Sequence, residues 1–140
     1  MPRTAGLDVG DKTIGIALSD PLGFTAQGLT VLRRRGRDGS LGDLVALLRQ
    51  HDVVRAVVGL PRNMNGTYGP RAELARAFAA TLEAAAGLPV LLEDERLTTV
   101  QAQRTLLAGD ASRAKRRAVV DMLAAQLILQ GFLDREAARR

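Results

Sequence analysis

The sequence predicts an α/β fold whose sheet begins with antiparallel strands and continues with parallel ones. Residues 5–33 have the pattern of three consecutive strands, helical and strand patterns then alternate, and the chain closes with helices. Consecutive strands joined by short turns pair antiparallel, whereas strands joined through a helix pair in parallel. We therefore expect a mixed sheet flanked by helices and, at 140 residues, a single domain over residues 1–140.

The first two strands are predicted at Ala5–Gly10 and Thr13–Asp20, with a turn at Asp11-Lys12 between them. Alternation along both strands puts bulky apolar side chains on one face and small residues on the other. The second face carries Gly6, Asp8, Gly10, Gly15, Ala17 and Ser19. Glycines at this strand end are expected to let a ligand or metal approach the backbone closely, with Asp8 as the one charged group there.

The later elements follow from hydrophobic periodicity and from helix-breaking residues. Further strands are predicted at Gln27–Arg33, at Val53–Leu60 (buried and parallel) and at Val90–Leu92 (short and buried). Helices are predicted near Leu41–Gln50, Arg71–Ala86, Thr99–Leu107 and Lys115–Arg135. The second helix is expected to bury a stripe formed by Leu74, Phe78 and Leu82 and to end at Gly87.

Composition limits the chemistry that is available. The chain has no cysteine and only one histidine, His51, which excludes disulfides, thiolate metal sites and sites that need two imidazoles. A metal must then be held by oxygen, which indicates Mg²⁺ or Mn²⁺. Aromatic residues make up 3%, too few for a protein that binds bases mainly by ring stacking. No apolar run has the length of a signal peptide or membrane span, so we expect a cytoplasmic protein without a membrane partner.

Positive charge is concentrated in arginine-rich patches. The net charge is +5, and the patches lie at residues 33–37, 113–117 and 139–140. The planar, bidentate guanidinium suits phosphate groups, so this distribution favours a nucleic-acid partner. A solvated basic surface without a partner is the alternative.

Acidic residues at strand ends and on the last helix are the candidate catalytic groups. Asp8 ends the first strand, Glu93-Asp94-Glu95 follows an apolar strand, and Asp121 is expected half-buried at the edge of the apolar arc of the last helix. Each also has a plain structural explanation, as a turn residue, a helix N-terminus or a boundary residue paired with Arg117. Together they fit several carboxylates converging on two divalent cations, the arrangement for in-line phosphodiester cleavage.

A Gly- and Asn-rich loop, Gly59–Thr67, follows the fourth predicted strand. Loops at the carboxyl ends of parallel strands are where α/β folds bind ligands. Asn63, Asn65 and backbone amides are therefore candidates for holding phosphate oxygens, with a plain turn as the alternative.

Four segments resemble the YqgF/RuvX family, whose members are described as Holliday junction resolvases and as nucleases acting on pre-16S rRNA. The segments are Asp8–Asp20 (DVGDKTIGIALSD), Gly59–Thr67 (GLPRNMNGT), Asp94–Thr99 (DERLTT) and Lys115–Leu129 (KRRAVVDMLAAQLIL). They occur in the family's order and cover nearly the whole chain. The resemblance implies a ribonuclease H-like fold related to the RuvC resolvase.

The resemblance also implies that Asp8, Glu95 and Asp121 are the catalytic metal-binding carboxylates of a two-metal site, with Asp94 as a further candidate ligand and Glu93 outside the motif. Basic and amide side chains in the matching segments are the candidates for substrate binding: Lys12, Arg62, Asn63, Asn65, Arg96, Lys115, Arg116 and Arg117. Thr13 departs from the family, since many relatives carry Arg there, and Lys12 could supply the missing phosphate contact.

The leading hypothesis is a metal-dependent nuclease that processes the 5′ end of pre-16S rRNA in ribosome biogenesis, with the ribosome or a pre-ribosomal particle as partner. The alternative is a Holliday junction resolvase acting on branched DNA, which needs a two-fold dimer to cut symmetrically. The sequence leaves monomer and homodimer open. Two lesser alternatives are a non-catalytic RNA-binding factor and an actin-like nucleotide-binding protein, although the latter needs two such domains.

Overall fold

A mixed five-stranded sheet organises the part of the chain that the computed structural model describes, residues 2–34, 39–61, 65, 67–94 and 113–139, with backbone only at 39 and 113–118. The strands are β1 Arg3–Val9, β2 Thr13–Ser19, β3 Ala26–Arg33, β4 Val53–Leu60 and β5 Val90–Asp94. Their spatial order is β3-β2-β1-β4-β5, antiparallel from β3 to β1 and parallel from β1 to β5. The predicted mixed sheet is confirmed.

Helices cover both faces of this sheet. They are α1 Gly39–Gln50, α2 Pro70–Ala86 and α3 Arg113–Ala138. The first two helices bury the bulky face of the β1–β2 hairpin, including Leu7, Ile14 and Ile16. The third helix packs on the opposite face through a stripe that includes Ala124, Ala125, Ile128, Leu129 and Leu133. The predicted helix Thr99–Leu107 lies outside the described residues.

The N- and C-terminal ends of α2 follow from its flanking residues. Pro70 lies in the first turn, where backbone N–H groups have no partner within the helix, so proline, which has no N–H, costs the helix no hydrogen bond. Gly87 ends the helix in a left-handed conformation, φ 69°, and its N–H donates to the carbonyl of Glu83.

No described helix is long and apolar enough to cross a membrane.

The buried stripe predicted for α2 is wrong at Leu74. Leu82 is fully buried as expected, but Leu74 is 61% exposed. The rest of the buried face is made of small residues, Ala72, Ala75 and Ala79. Alanines let α2 approach the sheet closely, so the helix is rotated relative to the prediction and Leu74 lies outside the core.

The last strand also differs from its prediction as a short buried strand over Val90–Leu92. It continues to Asp94, and Leu91 and Leu92 are 39% and 40% exposed. Within the described sheet β5 is an edge strand, so one of its two sides has no neighbouring strand. Glu93 is buried instead, in an ion pair with Arg135 of α3.

Gly6 and Gly15, on the bare face of the β1–β2 hairpin, leave room for α3, whereas Gly10, at the strand end where the sequence predicts the approach of a ligand or metal, lines a cleft. A Cβ on Gly6 would lie 2.6 Å from Cβ of Leu129, and a Cβ on Gly15 would lie 2.0 Å from the carbonyl oxygen of Asp121. Side chains at these two positions would therefore overlap with α3. The absence of Cβ atoms sets how closely the helix packs on the sheet.

The substitution Gly15→Ala is expected to lower the free energy of unfolding by about 1–3 kcal/mol, because the new methyl group overlaps with helix backbone that cannot rotate away. The matched control is Gly42→Ala on α1, where a Cβ meets nothing within 4 Å. That change should stabilise the protein by up to about 1 kcal/mol through helix propensity. Urea unfolding of both variants measures the difference, and an unchanged midpoint for Gly15→Ala would contradict the packing described here.

Candidate metal and nucleic-acid site

Two of the three predicted metal-binding carboxylates lie in one cleft. Asp8 is near the end of β1, is 7% exposed, and is paired in register with Gly15 of β2. The backbone of α3 at Asp121 packs directly over Gly15. Consequently Asp8 and Asp121, which are far apart in sequence, both line the cleft.

The cleft has a volume of about 440 Å³ and lies where β1 and β4 end. Its lining residues are Asp8, Val9, Gly10, Asp11, Lys12, Thr13, Arg34, Gly59, Pro61, Arg71, Leu74 and Asp121. The strands β1 and β4 are parallel neighbours, so their carboxyl ends meet at the same edge of the sheet. This is the edge at which α/β folds bind ligands.

Asp121 is half-buried, as the sequence predicted, and its described partner is Thr13. The hydroxyl of Thr13, the first residue of β2, donates a hydrogen bond to Oδ2 of Asp121. A hydroxyl donor fixes the orientation of a carboxylate without neutralising it, so both Asp121 oxygens keep acceptor capacity. The alternative partner, the side chain of Arg117, lies outside the described part of the chain.

The β1–β2 turn beside these carboxylates is held by hydrogen bonds. The N–H of Gly10 donates to the carbonyl of Thr13 at 2.9 Å, and the N–H of Arg34 donates to the carbonyl of Lys12 at 2.8 Å. The Nη1 group of Arg34 also donates to the carbonyl of Gly10 at 2.9 Å. The end of β3 thus supports the turn that carries Lys12, a predicted substrate-binding residue that lines the cleft.

Other predicted site residues are placed elsewhere or are not described. Asp94 ends β5, opposite Leu60 of β4, and does not line the cleft. Asn65 is exposed, and its Oδ1 accepts hydrogen bonds from the N–H and the hydroxyl of Thr67, which fits the alternative of a plain turn. Arg62, Asn63, Glu95 and Arg96 lie outside the described residues, as do the side chains of Lys115, Arg116 and Arg117.

Arg34 and Arg71 were not predicted as cleft residues, and Leu74 was predicted in the buried stripe of α2. Arg34 was counted only as a member of an arginine patch, and Arg71 only as the start of a helix. No pattern of neighbouring residues distinguishes these arginines from others in the sequence. Their places in the cleft depend on the geometry of the β1–β2 turn and on the position of α2.

The donor chemistry of the cleft suits a hard cation. Asp8 and Asp121 offer carboxylate oxygens only, the ligands that Mg²⁺ and Mn²⁺ prefer. Among the described residues no group of three or more His, Cys, Asp or Glu side chains is placed to hold a metal ion. The third carboxylate of the lining, Asp11, is exposed and paired with Arg71, and Glu95, the third predicted metal ligand, lies outside the described residues.

Curated relatives resemble this chain over nearly its whole length. A protein of Symbiobacterium thermophilum named “Putative pre-16S rRNA nuclease” is 61% identical over 137 residues, 98% of this chain and 95% of that protein. A protein of Moorella thermoacetica with the same name is 62% identical over 133 residues, 95% of each chain.

Solved structures share the fold at low sequence identity. RuvC of Thermus thermophilus, solved in complex with a Holliday junction substrate, has a TM-score of 0.55 at 17% identity and matches 98% of this chain and 97% of its own. The fowlpox virus resolvase bound to Holliday junction DNA has a TM-score of 0.53 at 8% identity, over 96% and 98% of the two chains. The expected ribonuclease H-like fold is thereby confirmed.

A family model described as “RuvX: Holliday junction resolvase” matches residues 2–135. With this match and relatives at more than half identity, the chain belongs to the RuvX family of nucleases, hydrolases that act on phosphodiester bonds.

Proposed function

We propose that this nuclease processes the 5′ end of pre-16S rRNA in the cytoplasm, using Asp8, Asp121 and Glu95 to bind Mg²⁺ or Mn²⁺. The observation that carries the proposal is the convergence of Asp8 and Asp121 in one cleft at the carboxyl edge of the sheet. They come from the first strand and the last described helix, so only the folded chain brings them together.

Four residues of the cleft, Asp8, Asp121, Thr13 and Lys12, have distinct tasks in the proposed hydrolysis. Two cations held by the carboxylates would activate the attacking water and stabilise the leaving oxygen. Asp8, buried at the end of a strand, and Asp121, on a helix packed against that strand, provide rigid ligands. Thr13 orients Asp121 through its hydroxyl, and Lys12 offers a positive charge to the phosphate.

The choice of RNA rests on the relatives, which are named as pre-16S rRNA nucleases at 61% and 62% identity. A pre-ribosomal particle is then the natural partner. Branched DNA is the second candidate, because the family model is described as a Holliday junction resolvase. A resolvase must cut two strands symmetrically and therefore acts as a two-fold dimer, whereas processing of one RNA end requires no dimer.

Asp8→Asn and Asp121→Asn are each expected to lower the rate of Mn²⁺-dependent cleavage by more than about 100-fold. Loss of outer-shell partners alone costs about 10–100-fold, and these are proposed direct ligands. The control is Asp43→Asn, an exposed acid on α1 that does not line the cleft, which should retain activity. Cleavage by Asp8→Asn at the wild-type rate would show that the site is assigned incorrectly.

Substrate choice is tested by rates measured side by side, with Mn²⁺, on pre-16S rRNA, a four-way DNA junction and unstructured strands of each. The expected order places pre-16S rRNA first. Faster cutting of the junction by a dimeric protein would favour the resolvase, and equal rates on unstructured strands would contradict both. Tight RNA binding without cleavage in any divalent cation would favour the non-catalytic RNA-binding factor.

Thr13→Val is expected to weaken Mn²⁺ binding by about 10-fold, the lower end of the range for loss of a ligand's hydrogen-bond partner. Valine keeps the shape of the side chain and removes the donor, so Asp121 loses its orientation. Thr13→Ser keeps the hydroxyl and should bind Mn²⁺ as the wild type does. Titration followed by electron paramagnetic resonance measures the affinities, and equal values for all three proteins would contradict the role given to Thr13.

A further inference from the structure

Two arginines and a leucine line the cleft beside α2. Arg34 follows β3, and Arg71 and Leu74 lie at the start of α2. We propose that these three residues, the arginine rim, bind the sugar–phosphate backbone of one nucleic-acid strand and lead it to Asp8 and Asp121. This inference rests on the proposed nuclease function and adds a binding surface to it.

Arg34 is positioned before any substrate arrives. Its Nη1 donates to the carbonyl of Gly10 at 2.9 Å, and its guanidinium carbon lies 5.5 Å from the centroid of the Phe78 ring. A guanidinium has five N–H donors in a planar fork, so a contact with one carbonyl still permits bidentate contact with a phosphate. A side chain that is already held loses less conformational entropy on binding.

Arg71 is available to an anion for a different reason. Its Nη2 lies 3.5 Å from Oδ2 of Asp11, and both side chains are 72% exposed. Exposed ion pairs of this length contribute little to stability, so a phosphate can replace Asp11 at small cost. Both contacts are charge-assisted, but the contact with Asp11 is long, at 3.5 Å, whereas a phosphate can accept two shorter, parallel hydrogen bonds from the guanidinium.

Leu74 gives the rim an apolar part. It lies three residues after Arg71, on the same side of α2, and is 61% exposed. One exposed leucine is ordinary on a protein surface, but Leu74 lines the same cleft as the positively charged side chains of Arg34 and Arg71. A nucleic-acid strand presents both the phosphates and the less polar sugars and bases that such a rim can contact.

The charges of the cleft explain why a rim is needed. The lining residues include three cations and three carboxylates: Lys12, Arg34, Arg71, Asp8, Asp11 and Asp121. Carboxylates repel an approaching phosphate, and the arginine rim offsets this repulsion beside them. The backbone is therefore expected to bind through the rim, and more tightly when a divalent cation neutralises Asp8 and Asp121.

The test measures binding of short labelled RNA and DNA strands of one sequence to the metal-free protein, between about 50 and 200 mM salt. The variants are Arg34→Gln, Arg71→Gln and Leu74→Ala. Arg76→Gln is the matched control, because Arg76 is on the same helix, pairs with Glu73 at 2.8 Å and lies 4.8 Å from the Tyr68 ring, but does not line the cleft.

Arg34→Gln and Arg71→Gln should each weaken binding several-fold and make the dependence of log K on log salt shallower by about 0.7, the value for one lost phosphate contact on a single strand. Leu74→Ala should weaken binding without changing the salt slope. With Mn²⁺, the arginine variants should raise KM and leave kcat nearly unchanged. Arg34→Lys keeps the charge and should retain the salt slope, which separates loss of binding from loss of folding.

Unchanged slopes in both arginine variants, or an equal loss in Arg76→Gln, would overturn the proposal. A loss with either strand supports the arginine rim, and the strand with the larger loss shows whether the rim favours RNA or DNA. Rim-dependent binding by a protein that never cleaves would contradict the proposed function alone. Asp8-dependent cleavage with wild-type binding in all rim variants would contradict the rim alone.

Discussion

The close packing of α3 on the glycines of β1 and β2 is the constraint on which the cleft depends. At Gly15 the helix backbone occupies the space that a Cβ would need, 2.0 Å from the carbonyl oxygen of Asp121. Because Gly15 is the register partner of Asp8, this contact brings Asp121 towards Asp8. A larger residue at that position would displace the helix and separate the two carboxylates. Gly15 therefore shapes the candidate site through packing alone, because it has no side chain that could bind a metal or a substrate.

The other end of α3 is fixed by ion pairs. Arg55 of β4 donates two hydrogen bonds to Glu136, each 2.6 Å, and a third to the hydroxyl of Thr4. The bond with Glu136 raises the pKa of Arg55. Arg135 pairs with the buried Glu93 of β5. The pair between Arg55 and Glu136 is bidentate and therefore directional, so it restricts rotation and sliding of α3, whose residue 121 lies about 22 Å further along the axis.

Local patterns in the sequence predict the strands and helices well. Alternation in β1 and β2 and the glycine that ends α2 depend only on neighbouring residues, and the structure confirms both. The packing of helices and strands against one another is harder to predict, because it depends on residues that are far apart in the sequence. Leu74 fits a helical stripe, yet α2 buries its alanines instead, and β5 has the apolar residues of a core strand but lies at the edge of the described sheet.

The candidate site shows the same contrast between features that the sequence predicts and features that depend on how distant elements pack. In the sequence, Asp8 and Asp121 each have a plain structural explanation, and they become candidates through their combination with other carboxylates and through the family resemblance. The contact between Thr13 and Asp121 joins residues 108 positions apart, so it cannot be predicted before α3 is docked. The positions of Arg34 and Arg71 in the cleft also depend on packing between distant parts of the chain. Arg34 is held by its hydrogen bond to the β1–β2 turn, and Arg71 is placed by α2. Glu95 lies outside the described residues and stays a prediction.

The two helical layers contribute to the cleft in different ways. The layer with α3 supplies Asp121 and sets its position relative to Asp8, so the proposed cation binding depends on this layer. The layer with α2 supplies Arg71, Leu74 and the Phe78 ring beside Arg34, so the proposed contact with the substrate backbone depends on this layer. The sheet separates these layers everywhere except at the carboxyl ends of β1 and β4, where both reach the same cleft. A substitution in one hydrophobic core can therefore change one set of contacts directly, since each layer packs in a core on its own side of the sheet. The proposed affinities for the cation and for the strand stay coupled through the charges of the shared cleft.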